Sequence, residues 1–161
     1  MSIPTVNTSS SSYVTLGVGD EVFAVDVRYV REILDYRQPA RLPHAPVFLV
    51  GVIDVRGATV PVIDLSLKLG LPATRVSEHS RILVLEIDLA ATQLTIGLLV
   101  DRVFEVAEFP TQGLGAAPDV GIHWNSDYIR AIGRLRGEFV IIFDMERLFS
   151  SDEVAKLQRM P

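Results

Sequence analysis

Short apolar runs rich in Val, Ile and Leu recur along the whole chain, separated by Gly, Pro and Asp. That punctuation is the mark of a protein built from small strands. From Tyr13 to Val18, alternation sets Val14, Leu16 and Val18 on one face, as in a half-buried strand. Gly19-Asp20-Glu21 then turns the chain into the run Val22 to Asp26, a hairpin by its turn chemistry. The pattern predicts strands near 13–18, 21–26, 31–36, 50–55 and 59–64, and again near 81–88, 93–100, 104–108, 128–135 and 138–143. The connections Arg37 to Phe48 and Ala107 to Asp127 are long and carry Pro and Gly, as functional or mobile loops do. The end of the chain changes period. Ser150 and Glu153 form a capping box, and Val154, Leu157 and Met160 follow at helical spacing, so a short amphipathic helix is expected over 150–159.

The two sets of strands repeat one another. Val27-Arg28-Tyr29-Val30-Arg31-Glu32-Ile33 lines up with Val100-Asp101-Arg102-Val103-Phe104-Glu105-Val106, and each stretch follows an apolar strand. Arg56-Gly57 lines up with Arg136-Gly137, and each pair is followed by an apolar run ending in Asp, at Asp64 and Asp144. Several matches in the same order indicate a duplicated module of about 70–80 residues. The V-x-x-V step is expected to be one helical turn between the second and third strands. Five short strands closing on themselves make a barrel, which removes exposed edges. The expected fold is therefore mainly all-β: a first five-stranded barrel over 13–72 with a short helical turn, a second over 80–149, and the C-terminal helix lying on a barrel.

Composition narrows the chemistry. The 161 residues are 48% apolar and 22% charged, which excludes general disorder. Residues 1–12, with serines at 9 to 12, read as a disordered tail and have no signal-peptide pattern. No apolar run approaches the ~20 residues of a membrane helix, so a cytoplasmic protein without direct membrane insertion is expected. The net charge of −5 argues against nucleic acid, and the aromatics Phe23, Phe104, Phe139 and Phe143 sit in strand patterns instead of a basic face. Cysteine is absent, and His44, His79 and His123 form no ligand-like pair. There is no G-x-S-x-G context and no Lys-Ser/Thr phosphate loop. Asp64 and Asp144 share a repeat position just after a strand, where a turn or helix cap is expected. No catalytic residue, metal site or cofactor is assigned, and an enzyme is not expected.

Two constellations remain. Glu32 and Arg56 recur as Glu105 and Arg136, which suggests an ion pair in each half. The pair in the first half either is internal, ordering the loops beside a binding groove, or stays partly exposed and meets a partner. Val27, Val30 and Ile33 are either core or an uncovered apolar strip at a barrel corner, fit for a partner helix.

The stretch Arg41 to Leu65 holds spaced prolines at 43, 46 and 61, the hairpin Gly51-Val52-Ile53-Asp54-Val55-Arg56-Gly57 and the strand end Pro61-Val62-Ile63-Asp64-Leu65. It resembles the most characteristic block of the CheW-like chemotaxis coupling family. Gly19 to Val27, Val30 to Ile33 and Tyr128 to Gly133 are similar to it as well, so the likeness spans 13–158. Asp54 stands where the family usually has Asn, and Gly121 to Asn125 has no counterpart. The resemblance implies two SH3-like barrels and a non-enzymatic scaffold. It would join the helical cytoplasmic tips of chemoreceptors, the methyl-accepting chemotaxis proteins, to the regulatory domain of a CheA-type histidine kinase at membrane-associated arrays. The alternative is an adaptor of a parallel chemosensory system controlling surface motility or second-messenger output. By position, the resemblance puts receptor contact on Val27, Val30, Glu32, Ile33, Gly51 and Arg56 of the first barrel and on Ile96 and Gly97 of the second, with the groove between the barrels. The glycines would let a helix approach the bare backbone.

Overall fold

The computed structural model describes residues 10–89, 92–110 and 128–158. Ten strands run in the order β1 (Ser10–Val18), β2 (Glu21–Asp26), β3 (Val30–Asp35), β4 (Leu49–Val55), β5 (Ala58–Asp64), β6 (Arg81–Leu89), β7 (Thr92–Val100), β8 (Arg102–Pro110), β9 (Ile129–Leu135) and β10 (Glu138–Phe143). A single 3-10 turn, Val27–Tyr29, links β2 to β3. Helix α1 (Leu65–Lys68) follows β5, and α2 (Ser151–Gln158) closes the described chain. The fold is mainly all-β, as the apolar pattern indicates. Asp64 caps α1 by accepting from the backbone N–H groups of Ser66 and Leu67, and Asp144 caps the matching turn by accepting from that of Glu146. Ser150 and Glu153 exchange their two capping-box bonds, 3.1 and 2.8 Å, at the start of α2.

The strands form two five-stranded sheets, ordered β8-β1-β2-β10-β9 and β3-β6-β7-β5-β4. The expected division into a barrel over 13–72 and a barrel over 80–149 is corrected by this order. Each sheet combines the hairpin of one repeat with the three strands of the other. The joins are parallel pairs: β2 with β10 through Phe23 and Ala24, and β7 with β5 through Gly97 to Leu99. Both orders are the same once the repeats are superposed, so the duplication is real but its halves have exchanged hairpins. Ser10, Ser11 and Ser12 also depart from the expected tail. They pair with Pro110, Phe109 and Glu108, so β8 lends its backbone to extend β1.

Strand faces divide the interior into three clusters. Val14, Leu16, Val25, Leu83, Leu85, Leu94, Ile96 and Leu98 join residues of both sheets in the core between them. Tyr13, Phe109, Val140 and Ile142 fill one sheet's own concave side; Ile53, Val60, Val62, Ile82 and Leu99 fill the other's. Strand β7 is thus buried on both faces, which is why it reads as a continuous apolar run instead of an alternating one. In each sheet one ion pair reaches from one terminal strand to the turn after the other: Glu32 of β3 with Arg56 after β4, and Glu105 of β8 with Arg136 after β9. After β3 the chain returns to β4, where Ala40 and Val52 exchange two backbone hydrogen bonds and Arg37 donates to the Asp54 carbonyl. Residues 111–127, including Gly121 to Asn125 and most of the second long connection, lie outside the described residues.

Candidate partner-binding surface

A bulge sets the site. In the β3–β6 ladder Val30 faces Leu85 and Glu32 faces Val84, with Arg31 as the extra residue. Leu85 belongs to the core between the sheets and Val84 to the concave cluster. The bulge therefore lets Val30 and Ile33, opposite Leu85 and Leu83, share the inter-sheet face, while Glu32 turns to the concave side. Val30 packs on that core at its open rim. Val27 at 39% and Ile33 at 43% exposure continue it outward as an apolar strip. The strip is core at its root and surface at its crest, so both expected readings of Val27, Val30 and Ile33 apply to different parts of it.

The 3-10 turn beneath the strip is tied at both ends. The Asp26 carboxylate accepts from the Arg28 backbone N–H at 3.0 Å and pairs with the Arg28 guanidinium at 3.3 Å. The Tyr29 hydroxyl donates to Glu146, which belongs to the other repeat, at 3.2 Å. Burial, helped by the Glu146 charge, outweighs Arg28 and pushes the Tyr29 hydroxyl up, keeping it a neutral donor. Arg31, the bulged residue, pairs with Glu86 on β6.

Arg56 stands at the neighbouring end of the same sheet. Val55 and Ala58 pair across a two-residue turn in which Arg56 and Gly57 have φ of +54° and +86°. Two positive φ values in succession mark the I′ class, whose twist suits a hairpin and whose first position favours Asn or Gly over Arg. The arginine bears about 1 kcal/mol of conformational cost for standing there. Asp54 accepts from the Gly57 N–H at 2.8 Å and holds the turn. The side chain of Arg56 is 81% exposed and reaches Glu32 at 3.4 Å. The same construction recurs in the second sheet, where Arg136 has φ of +53° and pairs with Glu105 through both of its terminal nitrogens. The hydrogen bond from Arg136 holds the Glu105 carboxyl below the usual carboxylate range. In each case the glutamate lies on one terminal strand and the arginine at the end of the other, so each pair crosses the seam of a curled sheet. Neither pair is internal in the sense of being desolvated: both arginines project into solvent, because a turn at the rim offers nothing to cover them.

Three expected contact residues are elsewhere. Ile96 is fully buried in the core between the sheets. Gly97 is buried on the concave side, where a Cβ would lie 2.8 Å from Ile82 Cγ2 and 3.6 Å from Val62 Cγ2. Gly51 is buried too, and a Cβ there would lie 2.3 Å from the Ala40 carbonyl oxygen. The missing side chains of both glycines are used inside the protein, by a packed isoleucine and a crossing backbone. None of the three presents surface to a helix, which corrects their expected role, and β7 shares a sheet with β3 and β4 instead of facing them across a groove.

The repeat builds the same bulge in the other sheet. Val103 faces Leu16 and Glu105 faces Thr15, the same bulge, and the Thr15 hydroxyl bridges the Glu105 N–H and carbonyl. Phe104, Val106 and Phe139 stand exposed on that sheet. The match between Val30-x-x-Ile33 and Val103-x-x-Val106 was the available signal for this second apolar rim. Among the described residues no group of three His, Cys, Asp or Glu side chains converges to hold a metal, and no helix is long and apolar enough to cross a membrane.

Comparison with known proteins follows the same outline. Residues 12–153 match the family model described as the CheW-like domain. A chemotaxis protein CheW of Klebsiella aerogenes is 30% identical over 148 residues, covering 92% of this chain and 87% of that one. Another, of Rhizobium meliloti, is 29% identical over 136 residues, covering 84% and 85%. The crystal structure of the scaffolding protein TtCheW from Thermoanaerobacter tengcongensis superposes with a TM-score of 0.77 at 26% identity, over 89% of this chain and 94% of that one. With the duplicated modules, the paired sheets and a family model spanning nearly all of its described length, this chain belongs to the CheW-like domain family.

Proposed function

We propose that this protein is a non-enzymatic adaptor that couples the helical cytoplasmic tips of chemoreceptors to a CheA-type histidine kinase. The observation that carries the reading is the apolar strip of Val27, Val30 and Ile33, exposed at Val27 and Ile33, on the rim of a chain whose relatives are named as chemotaxis proteins. An amphipathic helix laid along the strip covers the half-exposed side chains without disturbing the core. Glu32, turned to the other side of β3, pairs with Arg56, whose side chain projects into solvent at the rim. The proposed contact residues are Val27, Val30 and Ile33 on the strip, with Glu32 and Arg56 at the neighbouring rim.

The kinase partner is its regulatory domain, and the adaptor acts in the cytoplasm at receptor arrays. Holding both partners raises the local concentration of kinase at the receptor and fixes their geometry. Differential contact with two receptor-tip states then biases the kinase equilibrium. The relatives' naming favours swimming chemotaxis over a parallel chemosensory pathway.

The test is capture of the protein by its own receptors, with kinase activation measured alongside. Arg56→Ala and Ile33→Glu are each expected to weaken receptor capture by about tenfold or more, as loss of a central anchor does, with thermal unfolding near that of the wild type. Unchanged capture and activation by both variants would overturn the reading.

A further inference from the structure

Lys68, the last residue of α1, has a side chain only 5% exposed. Its ammonium lies 4.8 Å from the ring centre of Phe48, 5.1 Å from that of Tyr128 and 5.3 Å from that of Phe149. It donates to both Glu153 carboxylate oxygens, at 2.9 and 3.1 Å, and to the Tyr128 hydroxyl at 3.3 Å. Three protons find three acceptors, and the ring faces supply the remaining negative potential.

The cage is built from both repeats. Phe48 and Tyr128 are repeat equivalents, since each carbonyl accepts at 2.8 Å from the cap aspartate of its own module, Asp64 or Asp144. They meet around Lys68. Phe48 and Lys68 come from the first repeat, Tyr128 and Phe149 from the second, and Glu153 from α2. The position in the second repeat that matches Lys68 is Leu148, counted from Asp144 as Lys68 is from Asp64, and it is buried in the apolar core. Duplication alone therefore does not place a cation here; it breaks the internal symmetry.

The surroundings give that cation a task. Phe48, Leu65, Met145, Leu148, Phe149 and Leu157 belong to the apolar cluster between the sheets. Apolar burial is non-directional and tolerates small slips. A desolvated ammonium tolerates none, because a shift that lengthens its bonds leaves a charge buried without partners. Glu153 extends the constraint to the C-terminal helix, since the carboxylate that grips Lys68 also accepts from the Ser150 N–H in the capping box of α2.

We propose that the Lys68 cage is a positioning device, a cationic pin that joins the end of α1 to α2 and fixes the seat of that helix. The proposal does not depend on the adaptor reading. It is tested by amide hydrogen exchange on the full chain. In Lys68→Met, which keeps the apolar stem and removes the charge, amides of Val154 to Gln158 are expected to exchange about ten- to a hundredfold faster, the factor carried by charge-assisted hydrogen bonds. Amides of β6 and β7 keep their wild-type rates. Lys68→Arg, which can still pair with Glu153, restores slow exchange in α2. Glu153→Gln, which retains the cap acceptor but not the charge, shows a smaller acceleration confined to the same helix, and serves as the test if Lys68→Met fails to fold. Wild-type exchange in α2 of either variant overturns the proposal, as does parallel acceleration of α2 and the central strands.

Discussion

Replacing Gly51 by alanine probes how the first curled sheet is closed. The added Cβ would lie 2.3 Å from the Ala40 carbonyl oxygen and 2.8 Å from Pro39 Cβ. Ala40 has little freedom to retreat, because it exchanges hydrogen bonds of 2.8 and 2.9 Å with Val52. Breaking both costs about 1–3 kcal/mol. Residue 51 also has φ of +151°, where a side chain adds about 1–3 kcal/mol of backbone strain. The total, about 2–6 kcal/mol, corresponds to a fall in Tm of about 8–16 °C at its midpoint for a domain of this length. Gly57→Ala is the control: its Cβ meets nothing within 4 Å, and only the φ of +86° opposes it, at about 1 kcal/mol. Thermal unfolding followed by circular dichroism, with urea titration beside it, measures both. A Tm for Gly51→Ala no lower than that of Gly57→Ala would refute the closure. Loss of receptor capture at unchanged Tm would return Gly51 to the binding face.

Burial alone would push the Glu153 carboxyl up, but the Ser150 N–H and Lys68 together hold it below the usual carboxylate range. A depressed folded pKa makes this contribution complete above the ordinary glutamate value of about 4.3 and removes it as the pH falls through the lower folded value. The stability gap between wild type and Glu153→Gln, measured by urea unfolding, is therefore expected to be constant at neutral pH and to shrink below about pH 4; a gap that persists to pH 3 contradicts it. Cutting the chain between Pro72 and His79 is expected to leave two pieces that unfold non-cooperatively alone and regain one cooperative transition when mixed. A native-like transition in either isolated piece would refute the exchanged hairpins.

Most strands were legible because each half-buried run alternates and each turn carries its own chemistry. Val14, Leu16 and Val18 share a face in the sequence and in the core. The capping box at Ser150 and Glu153 and the cap at Asp64 were equally local. Periodicity says which way a side chain points but not which strand lies beside it. The exchange of hairpins between repeats is a long-range choice and left no trace in spacing. Ile96 and Gly97 show the consequence: the resemblance by position places them on a surface across a groove, and β7 is an inner strand of the sheet that carries β3. The Lys68 cage was illegible for another reason. Its members lie at 48, 68, 128, 149 and 153, each unremarkable among its neighbours.

The exchanged architecture limits how such an adaptor can respond to its partners. Had each repeat closed on itself, the linker after β5 would act as a hinge and the two modules could rotate as separate bodies. Instead, parallel pairing of β2 with β10 and of β7 with β5 stitches each repeat into both sheets. The stacked rings of Phe23 and Phe143, 4.9 Å apart, reinforce one of those joins. Rotation of one repeat against the other would break backbone ladders at two places and unseat Lys68 at a third. At the rim the Arg56 side chain has one long contact, to Glu32, whereas the 3-10 turn and the bulge at Arg31 are tied by Asp26, Glu146 and Glu86. Arg136 contacts Glu105 through both terminal nitrogens where Arg56 makes one contact to Glu32, while the first sheet is also tied by the Ala40–Val52 backbone bonds.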